Sequence, residues 1–187
     1  VCNQLSGKQV LITGTTGFLA KVVLEKLIRD VPDIRKIYLL IRGNRNHPTA
    51  QQRFEREVLT SSIFDHLREV YPEHLAETVA ERIVCVTGEV TEPRFGLSES
   101  EYERLASQVD IIVNAAASVN FREELDQALS INALSLLNLT DLANRAGRIP
   151  LIQVSTCYVN GFNSGDIFEQ MFSPAKGGIR RNAGGYF

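Results

Sequence analysis

The sequence predicts an α/β fold, a doubly wound parallel sheet of about five strands in the order 3-2-1-4-5 with a helical insertion after strand 2. Three observations lead there: short β-branched apolar runs recur, helical patterns separate most of them, and a glycine corner follows the first. Strands that are apolar almost throughout belong to a sheet covered on both faces, and alternation with helices makes that sheet parallel.

The first strand is KQVLIT (8–13), and GFLAKVVLEKLIRDV follows as a helix. Its pattern puts Phe18, Val22, Leu24 or Glu25, and Ile28 around its turns, with Leu19, Val23 and Leu27 as an i, i+4 apolar stripe; Pro32 stops it. KIYLLIR (36–42) is the second strand, and residues 49–80 form a polar, mainly helical insertion. RIVCVTG (82–88) is the third. Ser98 and Glu101 read as a capping box opening a helix that runs to about residue 107. VDIIVNA (109–115) is the fourth strand. A long amphipathic helix fills 122–147, ended by Gly147 and Pro150, and LIQVST (151–156) is the fifth strand. From 162 to 187 the periodicity is lost and glycines accumulate, which reads as loop. The expected division is therefore a nucleotide-binding domain over 1–161 and a loop-rich tail over 162–187 leading to a further C-terminal part.

Composition narrows the partners. With 187 residues, 44% apolar, the chain can build one sizeable core. Twenty basic against 22 acidic residues give a net charge of −2, so no basic field gathers nucleic acid. Cys2, Cys85 and Cys157 form no Cys-x-x-Cys pair, which suggests reduced thiols and a cytoplasmic setting. His47, His66 and His74 lack metal-pair spacing and read as solvated surface, so no metal is expected. No apolar run reaches the length of a signal peptide core or a membrane span.

The chemistry starts at ITGTTGFLAK (12–21). Gly14 and Gly17, with Ala20 as a third small residue, make a strand–turn–helix corner suited to a dinucleotide: glycine lets the backbone approach the pyrophosphate, and the helix N-terminus favours its charge. A bare tight turn is the alternative. A site selective for NAD carries an acid near the end of the second strand, to bind the ribose 2′-hydroxyl. Between Asp33 and Glu55 there is none; Arg35, Lys36, Arg42, Arg45 and Arg53 occupy the segment instead. A guanidinium there can bind a 2′-phosphate bidentately, so NADPH is the expected cofactor and Arg42 its leading contact. Gly88, Glu89 and Val90 would lie beside adenine. The small residues of NAAAS (114–118) would let the nicotinamide ribose approach, or would serve only to pack helix on sheet.

In order, LITGTTGFLAK, IYLLIRG, VTGEV, VNAAASVNF, INALSLLNL and QVSTCYVNG resemble the fatty acyl-CoA reductases, the alcohol-forming branch of the extended short-chain dehydrogenase/reductases, whose cofactor domain resembles male-sterility proteins. The resemblance implies a Rossmann-like NADPH-binding domain and reduction of a long-chain acyl-CoA, or an acyl group on acyl-carrier protein, through aldehyde to primary alcohol. By position it implies that Gly14, Thr15, Thr16, Gly17, Phe18, Leu19 and Ala20 hold the pyrophosphate and Arg42 the 2′-phosphate. Glu89 and Val90 would flank adenine, and Ala115, Ala116 and Ala117 the central portion of the cofactor. Thr156 takes the place of the catalytic serine or threonine, with Ser155 the neighbouring candidate; Asn132 is given a structural role.

Three departures stand out. Ala20 replaces a glycine, Glu89 replaces an aspartate, and no Tyr-x-x-x-Lys occurs: the fourth residue after each of Tyr38, Tyr71, Tyr102 and Tyr158 is Arg42, Leu75, Ala106 and Phe162, and Tyr186 has no fourth residue after it in this sequence. Tyr158 is expected to pack. The family's general-acid pair is thus expected beyond residue 187, leaving these residues able to bind NADPH but poor at reduction alone. Two other readings fit the same residues: an aldehyde-releasing thioester reductase acting on a carrier protein, and a non-catalytic NADP(H)-binding module.

Overall fold

A computed structural model describes residues 2–120, 122–156, 165, 166 and 168. Tyr158, Gly161 and the expected tail over 162–187, those last three residues apart, lie outside the described residues. After a helical turn, α1 (Cys2–Leu5), the chain runs through β1 (Gln9–Thr13), α2 (Phe18–Asp30) and β2 (Lys36–Ile41). The insertion follows as α3 (Ala50–Arg53), α4 (Asp65–Val70) and α5 (Pro72–Arg82). Then come β3 (Ile83–Thr87), α6 (Glu99–Gln108), β4 (Ile111–Asn114), α7 (Leu125–Leu129), α8 (Ser135–Arg145) and β5 (Leu151–Gln153). The strands pair in parallel in the order β3-β2-β1-β4-β5, with Val10 opposite Ile37 and Ile111. The order and direction match the expectation.

Alternation along each strand explains why the runs are apolar throughout. Val10 and Ile12 of β1 join Ile37, Leu39 and Ile41 of β2 in one core, under α2 and the insertion. Leu11, Tyr38 and Leu40 face the opposite way, into a second core with α6 and α8. Both faces of β1 are thus withdrawn from water, at roughly 1.5–3 kcal/mol of hydrophobic stabilisation per large side chain.

Four expectations about packing need correction. The stripe assigned to α2 is displaced: Ala20, Leu24, Leu27 and Ile28 form the buried face, while Phe18 is 76% and Leu19 47% exposed. The first turn of α2 follows the carboxyl end of β1, and within it only Ala20 is buried. The 49–80 segment is helical, but it is not a polar appendage. Phe54, Val58, Phe64 and Leu67 are fully buried there, the first two on a π-helical turn over Phe54–Val58. A second π turn, Ser130–Leu134, separates α7 from α8 within what the periodicity presents as one helix. Of the histidines, His66 is exposed, but His74 donates through Nε2 to Ile28 O at 2.9 Å and half-buried His47 lies 3.2 Å from Glu57.

Helix ends follow local chemistry. The Ser98–Glu101 capping box forms as expected, with Glu101 accepting from Ser98 N at 3.0 Å, and α3 opens on a second box from Thr49 and Gln52. Half-buried Cys85 has its thiol pushed up to about 12, chiefly by burial, which makes it inert rather than nucleophilic. No helix among the described residues is long and apolar enough to cross a membrane.

Candidate functional site: a nucleotide corner at the carboxyl rim

The residues singled out from the sequence gather where β1, β2, β3, β4 and β5 end, the edge at which open parallel sheets bind ligands. Gly14 follows β1 with φ +73°, a left-handed conformation that suits glycine. A methyl group added there would lie 2.6 Å from the carbonyl of Ala115 and from Ala116 N. The structure therefore brings the glycine corner and the alanine run into direct backbone contact. The sequence pattern assigns this glycine to the approach of a pyrophosphate; the close neighbour the structure shows at Gly14 is the protein's own backbone.

The case for an anion rests on the next residues. Gly17 N–H donates to Gly14 O at 2.8 Å and Gly17 caps the 13-residue α2 with no side-chain bond, and the first turn carries no acid. The helix thus presents open amides and the positive end of its dipole to the rim. Beside them Thr15 is buried, and its Oγ1 has no hydrogen-bond partner. A buried hydroxyl without a partner costs about 1–3 kcal/mol unless a ligand satisfies it. These residues fit a pyrophosphate. Half-buried Thr16 stands next in the turn, with exposed Phe18 and Leu19 opening the helix beyond it.

Of the basic residues after β1, only some reach this rim. Arg35 and Lys36 sit at the opposite, amino end of β2, where Lys36 Nζ donates to Glu81 O. Arg42 is at the rim, one residue past β2 and 63% exposed, with Nη1 3.2 Å from Glu89 Oε2. The segment is free of acid in sequence but not in space, because β3 delivers Glu89 beside it. Arg53 donates to Arg42 O at 3.0 Å and grips Glu57 through two bonds of 3.0 and 2.6 Å. Those Arg53 bonds, aided by Asn44 and His47 and opposed by burial, bring the Glu57 carboxyl down to about 2.

Val90 cannot offer its side chain to a ligand. It is buried in the second core, and its carbonyl accepts from Asn138 Nδ2 at 2.9 Å. On the β4 side Ala115 and Ala116 are half-buried and Ala117 exposed. Asn132 pins the following loop, accepting from Ser118 N at 2.8 Å and donating to Ser118 O at 3.1 Å, as its structural assignment requires.

Sequence reading missed a polar relay beneath this rim. Thr13 Oγ1 donates to Asn114 Oδ1, and both atoms lie 3.3 Å from Ala116 N–H. Asn114 Nδ2 donates to Gln153 Oε1 at 2.7 Å, and Val154 N–H to Asn114 O at 2.9 Å. The relay ties the strand before Gly14 to the strand before Ser155 and Thr156. Strand pairing in β5 ends at Gln153, so those two residues stand exposed on the rim just past it.

Sheet order, glycine corner and uncapped helix together define a dinucleotide-binding α/β domain. The chain belongs to the male sterility protein family, an NAD-binding family that matches over residues 12–183. It is 41% identical over 170 residues to fatty acyl-CoA reductase 2, chloroplastic, of Arabidopsis thaliana, covering 90% of this chain and 27% of that protein. With human fatty acyl-CoA reductase 1 the identity is 39% over 153 residues, covering 81% of this chain and 28% of that protein. Among solved structures, it resembles the terminal R domain of the myxalamid PKS-NRPS pathway at a TM-score of 0.74 and 30% identity, over 97% of this chain and 42% of that one. The chain thus spans about a quarter to a third of the length of these curated relatives. The family and the reductase likeness support a nicotinamide cofactor for this chain.

Proposed function

We propose that this chain is the cofactor-binding part of an NADPH-dependent reductase that converts a fatty acyl-CoA, through its aldehyde, to a fatty alcohol. The observation that carries the cofactor choice is Arg42, an exposed guanidinium at the end of β2 on the same rim as the uncapped N-terminus of α2. A 2′-phosphate can be held there by a planar cation with five donors. The acyl specificity follows the relatives, which are named fatty acyl-CoA reductases.

In this reading the amides opening α2 and the Thr15 hydroxyl hold the pyrophosphate, and Ala115–Ala117 lie along the cofactor's centre. NADPH would supply hydride to the thioester carbon. As charge develops on the thioester oxygen, the Thr156 hydroxyl, or that of Ser155, would donate to it; a donor aimed at a developing oxyanion is typically worth about a hundredfold or more in rate. The general acid is assigned to residues beyond 187. A second reading, reduction of a carrier-protein thioester to a released aldehyde, is favoured by the likeness to the myxalamid R domain.

The test is NADPH oxidation with palmitoyl-CoA, run on these 187 residues and on the protein extended past them. The proposal expects turnover only in the extended protein, with alcohol as the product and a Thr156→Val variant strongly impaired. Aldehyde as the end product selects the second reading. Unchanged turnover in Thr156→Val removes that residue from the chemistry.

A further inference from the structure

We propose that Glu89 is a specificity-determining residue that restrains the preference of this site for NADPH over NADH. The inference rests on the proposed role of Arg42 as the 2′-phosphate contact. Glu89 sits 3.2 Å from Arg42 Nη1, and its side chain is 26% exposed against 63% for the arginine. The pair bridges the ends of β2 and β3.

Most surface ion pairs can drift apart, but both main chains here are held. Glu89 N–H donates to Phe95 O at 3.0 Å, and Glu89 O accepts from Glu92 N–H at 3.1 Å. The loop that makes those bonds includes Arg94 and Phe95 at φ +52° and +60°, with Phe95 buried in the second core. At its base Gly88 N–H donates to Ile41 O at 3.3 Å, and any side chain at Gly88 would meet Phe95 O at 2.7 Å. Across the gap, Arg53 holds the Arg42 carbonyl. The Glu89 carboxylate is therefore built into the corner where a 2′-phosphate would dock.

Two consequences follow from charge. Only Nη1 of Arg42 is engaged by Glu89, so the guanidinium keeps donors for a phosphate. Two anions sharing one guanidinium lie only about 6 Å apart, however, and their repulsion near the surface is worth roughly a 3- to 10-fold loss of affinity. Arg53 offsets little of this, because its charge is paired with Glu57 and three of its five donors go to Glu57 and the Arg42 carbonyl. A ribose 2′-hydroxyl, by contrast, can donate to Glu89 in the way an acid at this corner selects NAD. One residue pair thus offers a partner to either nucleotide, and the glutamate narrows the difference between them.

The experiment is a fluorescence titration of the wild-type protein, Glu89→Gln and Arg42→Ala with NADPH and with NADH, at low salt and at about 0.5 M salt. Glu89→Gln is expected to bind NADPH about 3- to 10-fold more tightly at low salt, with NADH unchanged or weaker, and the NADPH gain should shrink at high salt. Glu89→Ala should move NADPH in the same direction. Unchanged or weaker NADPH binding in both Glu89 variants, while Arg42→Ala loses NADPH affinity, overturns the inference and leaves the Arg42 reading standing. If Arg42→Ala loses no NADPH affinity, the two fall together.

Discussion

Asn114 on β4 donates through Nδ2 to Gln153 Oε1 on β5 at 2.7 Å, while its Oδ1 accepts from Thr13 on β1. One buried amide thereby cross-links three strands at the rim on which every proposed contact stands.

Asn114→Ala leaves the Thr13 hydroxyl without its acceptor, while Ala116 N–H keeps Thr13 Oγ1. An unpaired buried group costs about 1–3 kcal/mol, so chemical denaturation should show a loss in that range. Asn114→Asp should recover only part of it, since a carboxylate serves Thr13 but cannot donate to Gln153.

Thr15→Val should move two measurements in opposite directions. Removing a buried hydroxyl that has no partner relieves a desolvation cost, so the nucleotide-free protein should gain up to about 1–2 kcal/mol in denaturant. If that hydroxyl serves the pyrophosphate, NADPH affinity should fall in the same variant. A gain in stability with unchanged affinity would remove Thr15 from the site.

The Glu57 carboxyl sits near 2 in the folded chain, against an ordinary value of 4.5, chiefly through its bonds with Arg53. A depressed carboxyl stabilises the fold above its unfolded value, and that contribution is lost as pH falls toward the folded one. The stability difference between wild type and Glu57→Gln should therefore be full at neutral pH and fade between about pH 4.5 and 2. A difference that stays constant over that window would contradict the assignment.

Phe54→Ala should cost about 3–5 kcal/mol, the range for emptying a fully buried aromatic site. The measurement is equilibrium unfolding in guanidinium. The same argument predicts that deleting 49–80 unfolds the domain, because the core side of α2 would lose Phe54, Val58, Phe64 and Leu67 together.

What could be read in advance was local. Continuous apolar strands, the Ser98–Glu101 box and the glycine corner are patterns within a few residues, and each formed where expected. The pairing of Arg53 with Glu57 and the Thr49–Gln52 box were equally local, at spacings of four and three, and could have been found by the same test. Glu89 beside Arg42 could not, since 47 residues separate them and only the adjacency of β2 and β3 brings them together. The same holds for Thr13, Asn114 and Gln153, whose meeting depends on β4 lying between β1 and β5. The buried face of α2 was misjudged because periodicity gives a stripe but not which side of the helix the sheet receives.

Gly14 answers to its neighbour across the sheet: a Cβ there would run into the Ala115 and Ala116 backbone, so a side chain at that position forces the fold to shift whether or not a nucleotide ever arrives. A descendant of this protein that had abandoned catalysis would still keep that glycine, for architectural reasons. Decay of nucleotide binding should surface first in the uncapped opening turn of α2 and at Thr15, where the fold itself demands little.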